Sequence, residues 1–366
     1  MWKKLGDSER ILIIRLSAIG DVLQASPVAQ ALKKSFPQSR ISWVVETKAK
    51  DVIEGNSNLQ HVFVWPRKEW ELEAKKTRDY YTLIKRNWHF LSQIRHQHFD
   101  IVLDLQGMYR SDFISFVSGA KHRICLPNPP EPCIGANIHT PSWAFSNVYE
   151  RFLSVLLHFG IETFQPIMEM PLTVEDEMYA QDFMSIHGLQ AHNFIIFNPS
   201  ASWPSKCWTL EKFAQLGDLL ANEFKIPIVI FGDTSDKYIG QTIAMYMNHP
   251  IIDVTGTMTL KQLGAVAKKA GIFISGDTGP LYIAQALQVP TVALFGITSA
   301  KYYQRDLPNQ IALQGRDHSL RNLTVNEVLQ AVRLILSKKK PDLLPMKNDK
   351  EKYLILRKFQ SRKRLH

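Results

Sequence analysis

The turn at residues 275–280 carries the clearest chemical signal in the sequence. A short apolar run, 272–274, leads into Ser-Gly-Asp-Thr-Gly-Pro, and Pro280 suits the first turn of the helix that residues 281–287 would continue. Free backbone N–H groups at such a helix start attract phosphate, and the helix dipole adds to the attraction. The pattern therefore predicts an anion site. Its candidate ligand contacts are Asp277, Thr278 and Gly279.

A second candidate loop, residues 198–208, precedes the helical pattern 210–224. Its small residues, Ser200 among them, keep the backbone open to a ligand, and Lys206 can place a positive charge beside a pyrophosphate. A lysine in a loop is usually only solvated, but this loop and the turn at 275–280 share the expected edge of one sheet. Two phosphate-binding loops on one edge favour a nucleoside diphosphate over a lone phosphate.

Two further carboxylates are candidates for function, each with an ordinary alternative. Asp21 follows the apolar run 11–16, and a carboxylate fixed there could act as a general base towards a hydroxyl nucleophile. Capping of the helix that follows explains the same position. Asp236 follows the run 226–231 and could receive ribose hydroxyls, although an Asp-rich turn with local hydrogen bonds explains it equally well.

Basic and aromatic residues alternate in the segment 66–88, which begins with Arg67 and Lys68. Such a mixture would suit an anionic, sugar-bearing acceptor. The alternative is an amphipathic surface helix whose basic residues balance its own Glu and Asp side chains.

Apolar, β-rich runs alternate with helical patterns along the chain, which indicates parallel sheets covered by helices. The runs form two groups, so we expect an α/β protein of two doubly wound domains that bind ligands at the carboxyl ends of their strands. The runs are 11–16, 41–45, 101–105, 194–197, 226–231, 272–274 and 291–295. The expected parts are a Rossmann-like acceptor domain at 1–165, a linker and connecting helix at 166–190, a Rossmann-like nucleotide-sugar domain at 191–338 and a basic tail at 339–366.

The chain of 366 residues has a net charge of +10, most of which lies at its end. From Lys338 to His366 there are 11 Lys or Arg and 3 Asp or Glu, so the rest of the chain is nearly neutral. This argues against nucleic acid as a partner, while the tail could contact an anionic membrane surface or stay solvated. No run approaches the roughly 18 apolar residues of a membrane span. The N-terminal segment predicts a strand and not a signal peptide, so we expect a cytoplasmic protein.

The three cysteines, Cys125, Cys133 and Cys207, fit neither a disulfide framework nor a CxxC site, which indicates a reducing cytosol. His122 and His139 lie near the first two, but the close ligand pairs of zinc sites are missing and we expect no metal. The sequence has no Walker lysine loop, no GxGxxG and no Asp-any-Asp pair. We therefore expect chemistry without a metal or other cofactor.

Five segments, taken in order, resemble the landmarks of glycosyltransferase family nine, the bacterial ADP-heptose lipopolysaccharide heptosyltransferases. They are residues 14–22, 104–107, 147–153, 206–208 and 275–287. The resemblance covers roughly residues 10–336 and is greatest to the enzymes that add the first heptose to Kdo on lipid A. It implies the GT-B fold, with two Rossmann-like domains facing across a cleft, and an inverting, metal-independent transfer at the cytosolic face of the inner membrane.

The resemblance also implies roles for individual residues. Asp21 would be the general base, Lys206 would pair with the leaving diphosphate and Asp277 would contact the sugar. The residues expected to bind the donor ADP-heptose are Ser200, Lys206, Asp236, Asp277, Thr278 and Gly279, and those expected to bind the Kdo-lipid A or inner-core acceptor are Arg67, Lys68, Gln106 and Arg110.

Two positions depart from the family pattern. Tyr282 stands three residues after the Gly279 of the turn, where the family usually has a histidine, and Asn147 stands before Val148, where another histidine is usual. These departures keep two alternatives open. One is a family member that uses a different nucleotide sugar, and the other is a non-catalytic protein that binds a nucleotide sugar or an anionic glycan.

Overall fold

The computed structural model describes residues 9–337 except 129, 132, 141–144, 163–164, 166, 305–306 and 308. The expected basic tail, 339–366, lies outside the described residues. The chain divides between Pro171 and Leu172 into two compact units, so the linker expected at 166–190 spans the division.

The described residues of the first unit form a six-stranded parallel sheet. Its strands are β1 (Arg10–Ile14), β2 (Arg40–Glu46), β3 (His61–Trp65), β4 (Ile101–Asp104), β5 (His122–Cys125) and β6 (Ile138–His139). Its helices are α1 (Ile19–Ala25), α2 (Pro27–Ser35), α3 (Thr47–Lys50), α4 (Arg67–Thr77), α5 (Tyr80–Arg95), α6 (Tyr109–Ser118) and α7 (Val148–Leu153), followed by a 3-10 turn (Ser154–Phe159). The strand order is β3-β2-β1-β4-β5-β6. The chain adds β2 and β3 on one side of β1 and then adds β4, β5 and β6 on the other side, so the topological switch point lies between β1 and β4.

The described residues of the second unit form another six-stranded parallel sheet. Its strands are β7 (Ile195–Asn198), β8 (Ile228–Ile230), β9 (Ile252–Asp253), β10 (Ile272–Gly276), β11 (Thr291–Phe295) and β12 (Gln310–Gln314). Its helices are α8 (Val174–Ile186), α9 (Leu210–Phe224), α10 (Lys237–Tyr246), α11 (Leu260–Lys269), α12 (Gly279–Ala286), α13 (Ala300–Tyr303) and α14 (Val325–Ser337). Short 3-10 turns lie at Pro204–Lys206, Thr234–Asp236, Arg316–His318 and Leu320–Asn322. The strand order is β12-β11-β10-β7-β8-β9, so the topological switch point lies between β7 and β10.

Each apolar run predicted as a strand overlaps one, because continuous apolar segments are required in a sheet that helices cover on both faces. The central strands β1, β4, β7 and β10 are buried along nearly their whole length. The carboxyl ends of neighbouring parallel strands lie side by side, so the switch points place the residues after β1 and β4, and those after β7 and β10, next to each other.

The helical pattern after β1 is two helices, α1 and α2, and not one. Pro27 begins the second helix, since it has no N–H to continue the hydrogen bonds of the first. Among the described residues, no helix has the length and apolar character needed to cross a membrane.

The expectation that the cysteines do not form a disulfide was wrong for two of them. Cys125, at the end of β5, is bonded to Cys133, with Cα atoms 6.3 Å apart. The intervening loop folds back through a bridge between Asn128 and Glu131, which brings the two thiols together. A separation of eight residues gives no sequence signal for this contact. Cys207 is a free cysteine.

Candidate active site

The predicted anion-binding turn lies at the switch point of the second sheet. It joins β10 to α12, which begins at Gly279 and has a proline in its first turn. The side chain of Asp277 lies in this turn and is only 6% exposed. Its Oδ2 atom is 2.6 Å from Lys206 Nζ, and its Oδ1 atom accepts a 2.6 Å hydrogen bond from the Tyr282 hydroxyl. The two predicted phosphate-binding loops, residues 198–208 and 275–280, therefore contact each other directly through an ion pair.

A second set of hydrogen bonds holds the same turn from β7. The Asn198 Nδ2 atom donates to Ser275 Oγ at 2.9 Å and to Thr278 Oγ1 at 3.1 Å. The hydroxyls of Ser275 and Thr278 also form a 3.0 Å hydrogen bond with each other. The Thr278 hydroxyl is therefore oriented by its neighbours before any ligand binds. We did not predict the role of Asn198, although its position at the end of a central strand is a usable signal.

Glycines allow the loop of Lys206 to lie close against the sheet edge. A Cβ at Gly276 would lie 2.7 Å from the Lys206 carbonyl oxygen, and one at Gly296 would lie 3.2 Å from the Ser205 carbonyl oxygen. A side chain at position 276 would displace this loop and one at position 296 would crowd it, so the glycines allow the lysine to lie beside the turn.

Ser200 and Asp236 are less clearly placed for ligand binding. The Ser200 carbonyl accepts a 3.3 Å hydrogen bond from Asn198, which leaves its side chain unused in this contact. The Asp236 Oδ2 atom accepts a 2.8 Å hydrogen bond from the Asp233 N–H, as the alternative of an Asp-rich turn anticipates. Burial, with a smaller contribution from the charge of Asp236, raises the pKa of the Cys207 thiol. Its contact with ribose remains a prediction.

Asp21 lies in the first turn of α1 and forms an ion pair that the sequence did not indicate. Its Oδ2 atom is 2.7 Å from Arg15 Nη2 and accepts a 3.2 Å hydrogen bond from the Ala18 N–H. The second bond is the capping interaction considered from the sequence. Arg15 is held in turn by a 2.8 Å hydrogen bond to the Leu105 carbonyl and by the Phe152 ring, 5.2 Å away. The Asp21 side chain is 33% exposed, so it remains accessible to a substrate.

Gln106 supports the β1–α1 turn from the neighbouring strand. Its Oε1 atom accepts hydrogen bonds from the N–H groups of Leu16 and Ser17, at 3.1 and 3.3 Å. Asp104 holds this segment, since its Oδ1 atom accepts from the N–H groups of Gln106 and Gly107 at 2.9 and 3.0 Å. Burial raises the pKa of Asp104 to about 6. Gln106 is buried, so we find it bracing the loop before Asp21, a role the sequence did not predict.

The other acceptor candidates differ in exposure. Arg67 is buried and donates to Glu46 and Glu71, at 3.0 and 2.7 Å. Lys68 is 58% exposed and 4.0 Å from Glu46. Arg110 is exposed in the first turn of α6. Lys68 and Arg110 therefore present charge to solvent, whereas Arg67 holds the start of α4 in place.

The part of the chain that the structure describes contains no group of three or more His, Cys, Asp or Glu side chains suited to a metal ion.

Asn147, the second position that departs from the family pattern, caps α7. Its side-chain oxygen accepts a 2.8 Å hydrogen bond from the Glu150 N–H.

Comparison with known proteins gives consistent results. Residues 87–328 match the model of glycosyltransferase family 9 (heptosyltransferase). The lipopolysaccharide core heptosyltransferase OpsX of Haemophilus influenzae is 22% identical over 297 residues, which cover 78% of this chain and 78% of that protein. The crystal structure of a family 9 glycosyl transferase from Veillonella parvula has a TM-score of 0.77 and 22% identity, covering 90% of this chain and 97% of that one. The ADP-heptose lps heptosyltransferase II of E. coli has a TM-score of 0.71 and 19% identity, covering 90% and 100%. These structures confirm the expected fold class, that of the GT-B glycosyltransferases.

Proposed function

Because the chain belongs to glycosyltransferase family 9, we propose that it transfers heptose from ADP-heptose to the Kdo-containing inner core of lipopolysaccharide. The observation that carries the proposal is the ion pair between Lys206 and Asp277 beside the start of α12, at the switch point of the second sheet. The relatives named for lipopolysaccharide core and for ADP-heptose support the substrate classes. The acceptor is then lipid-linked, and we place the reaction at the cytosolic face of a membrane.

The diphosphate of the donor would be bound at the start of α12, beside Lys206. The Lys206 ammonium has three N–H donors and uses one of them on Asp277, so it can also donate to phosphate oxygens. The Thr278 hydroxyl and the N–H groups at the start of α12 add further donors. Asp277 would accept hydrogen bonds from sugar hydroxyls.

The reaction is an in-line displacement at the anomeric carbon of the heptose. An acceptor hydroxyl oxygen forms the new glycosidic bond, the bond from the anomeric carbon to the diphosphate oxygen breaks, and ADP leaves with that electron pair. The configuration inverts. Asp21 takes the hydroxyl proton as general base, and the charge of Lys206 stabilises the departing diphosphate. No step in this scheme uses a metal ion.

Lys68 and Arg110 would contact the anionic acceptor, because both expose their charge. We assign Arg67 and Gln106 to positioning, since both are buried in hydrogen bonds to the protein itself.

The test is an assay of heptose transfer from ADP-heptose to Kdo-lipid A in the presence of EDTA. Transfer is measured as ADP release and as the increase in the mass of the acceptor. The wild-type chain should transfer heptose, and Asp21→Asn should reduce the turnover number by about 100-fold to 10,000-fold while ADP still binds. The matched control is Asp100→Asn, a change of another aspartate of the first unit, whose Oδ2 atom accepts from the Arg10 N–H.

Full transfer by Asp21→Asn would show that Asp21 is not the base. Loss of wild-type transfer in EDTA, restored by a divalent cation, would overturn the metal-independent scheme. A wild-type protein that binds ADP but transfers no heptose would show that the substrate is wrong, and a panel of other nucleotide sugars would then identify the donor.

A further inference from the structure

Helices α5 and α6 expose an aromatic face. It consists of Tyr81, Ile84 and Trp88 on α5 and Tyr109, Phe113 and Phe116 on α6, which are 54–76% exposed. Spacings of three and four residues place each set along one side of its helix. Among the described helices of the first unit, these are the two that expose more than one large apolar side chain.

The two sets of side chains form one surface. Helices α5 and α6 pack against each other, and the Arg95 side chain at the end of α5 donates a 3.3 Å hydrogen bond to the Val117 carbonyl near the end of α6. The C-terminal ends therefore lie together and the helices run in the same direction. Strand β4 ends at Asp104, and helix α6 begins five residues later at Tyr109. Because β4 lies beside β1, the aromatic face begins near the sheet edge that carries Asp21.

The charge around this face is positive. Residues 67–123, from the start of α4 to β5, contain eleven Lys or Arg and seven Asp or Glu, of which Arg67, Asp104 and Asp112 are buried. Lys85 is exposed on α5, and Lys75 and Lys76 are exposed near the end of the preceding helix α4. A surface of aromatic side chains bordered by lysines matches the interface of an anionic bilayer, where Trp and Tyr prefer the headgroup level and basic residues are attracted to the negative surface.

We propose that the aromatic face binds the surface of a lipid bilayer that contains anionic lipids. The inference rests on the proposed function for its purpose, because a lipid-linked acceptor must be reached at a membrane. Two other occupants are less well matched in charge. The segment 338–366 is itself basic, with 11 Lys or Arg and 3 Asp or Glu, and a second copy of the chain would bring two positive faces together.

The experiment is sedimentation of the full chain with vesicles of phosphatidylethanolamine and phosphatidylglycerol, and with vesicles of phosphatidylcholine alone. The test variant replaces Trp88, Phe113 and Phe116 by alanine. The control variant replaces Tyr238, Met245 and Tyr246, which are exposed on α10 of the second unit. A third protein ends at Ser337. Each protein is also assayed for heptose transfer to a water-soluble, delipidated Kdo acceptor, and its oligomeric state is measured by light scattering.

The wild-type and control proteins should bind the anionic vesicles, less strongly at high salt, and bind phosphatidylcholine weakly. The test variant should bind the anionic vesicles about tenfold or more weakly, since three large apolar side chains no longer insert. Its transfer to the soluble acceptor should equal that of the wild type.

Unchanged vesicle binding by the test variant would overturn the proposal. So would binding that depends on residues after Ser337, or a wild-type dimer that the test variant abolishes without any effect on vesicles. Vesicle binding without heptose transfer would contradict the proposed function alone, whereas transfer without vesicle binding would contradict the docking face alone.

Discussion

The hydroxyl of Tyr282 donates a 2.6 Å hydrogen bond to the Asp277 carboxylate, whose other oxygen is paired with Lys206. Asp277 is thus held from both sides in a nearly buried position. A tyrosine can fix this carboxylate as a neutral donor, so the position that usually has a histidine in the family keeps a hydrogen-bond donor here.

Tyr282→Phe should lower kcat/KM for heptose transfer about tenfold, because a hydrogen bond to a charged group is lost without a change of ring volume. Steady-state kinetics with varied ADP-heptose would measure it, and Tyr282→His should recover part of the activity. Tyr149→Phe is the matched control, since it removes a buried tyrosine hydroxyl in the first unit. Equal losses in the two Phe variants would show that the hydrogen bond from Tyr282 to Asp277 has no specific role in transfer.

Lys206→Gln should reduce transfer by about 100-fold to 1,000-fold, as expected when a preorganised group that stabilises a leaving charge is removed. ADP affinity should fall as well, which isothermal calorimetry can measure. Lys268→Gln is the control, because it breaks a surface ion pair with Glu177 that is also 2.6 Å long. If Lys206→Gln retains both ADP binding and transfer, the lysine serves only to hold Asp277.

Asp104 should make the stability of the first unit depend on pH. Burial raises its pKa from 3.8 to about 6, so the folded chain favours the protonated form. The contribution is therefore greatest below about pH 4 and is lost as the pH rises to about 6. At about 1.4 kcal/mol per pKa unit the loss is about 3 kcal/mol.

The measurement is urea unfolding of the wild type and of Asp104→Asn between pH 4 and pH 7. The free energy of unfolding of the wild type should fall relative to the variant over this range, because asparagine keeps the acceptor for Gln106 and Gly107 but does not titrate. A constant difference between wild type and Asp104→Asn would show that Asp104 titrates normally.

The Cys125–Cys133 bond should stabilise the first unit by about 2–3 kcal/mol, the value that chain entropy gives for so short a loop. Under oxidising conditions Cys125→Ser and Cys133→Ser should unfold at lower temperature than the wild type, and a reducing agent should remove the difference. Cys207→Ser is the control, as Cys207 is not disulfide-bonded. Titration of three free thiols in the untreated protein would contradict the disulfide.

Much of the fold could be predicted from the sequence because its signals are local. The apolar runs of the central strands report burial on both faces, and the helical pattern 210–224 coincides with α9. Five strands lie outside the predicted runs. Two of them, β6 and β9, are only two residues long, and β3, β5 and β12 are incompletely buried, so their signal is weaker.

The sequence by itself determined which loops hold the candidate site, because strand ends and helix starts are readable in order along the chain. Only the tertiary structure decided which side chains meet. Lys206 and Asp277 are 71 residues apart and Leu16 and Gln106 are 90 apart, and each pair forms only because neighbouring parallel strands end at the same edge. The structure also showed that Arg67 is buried against Glu46 and that the loop after β5 brings Cys125 to Cys133. Contacts across such distances depend on how the strands align, which no local pattern records.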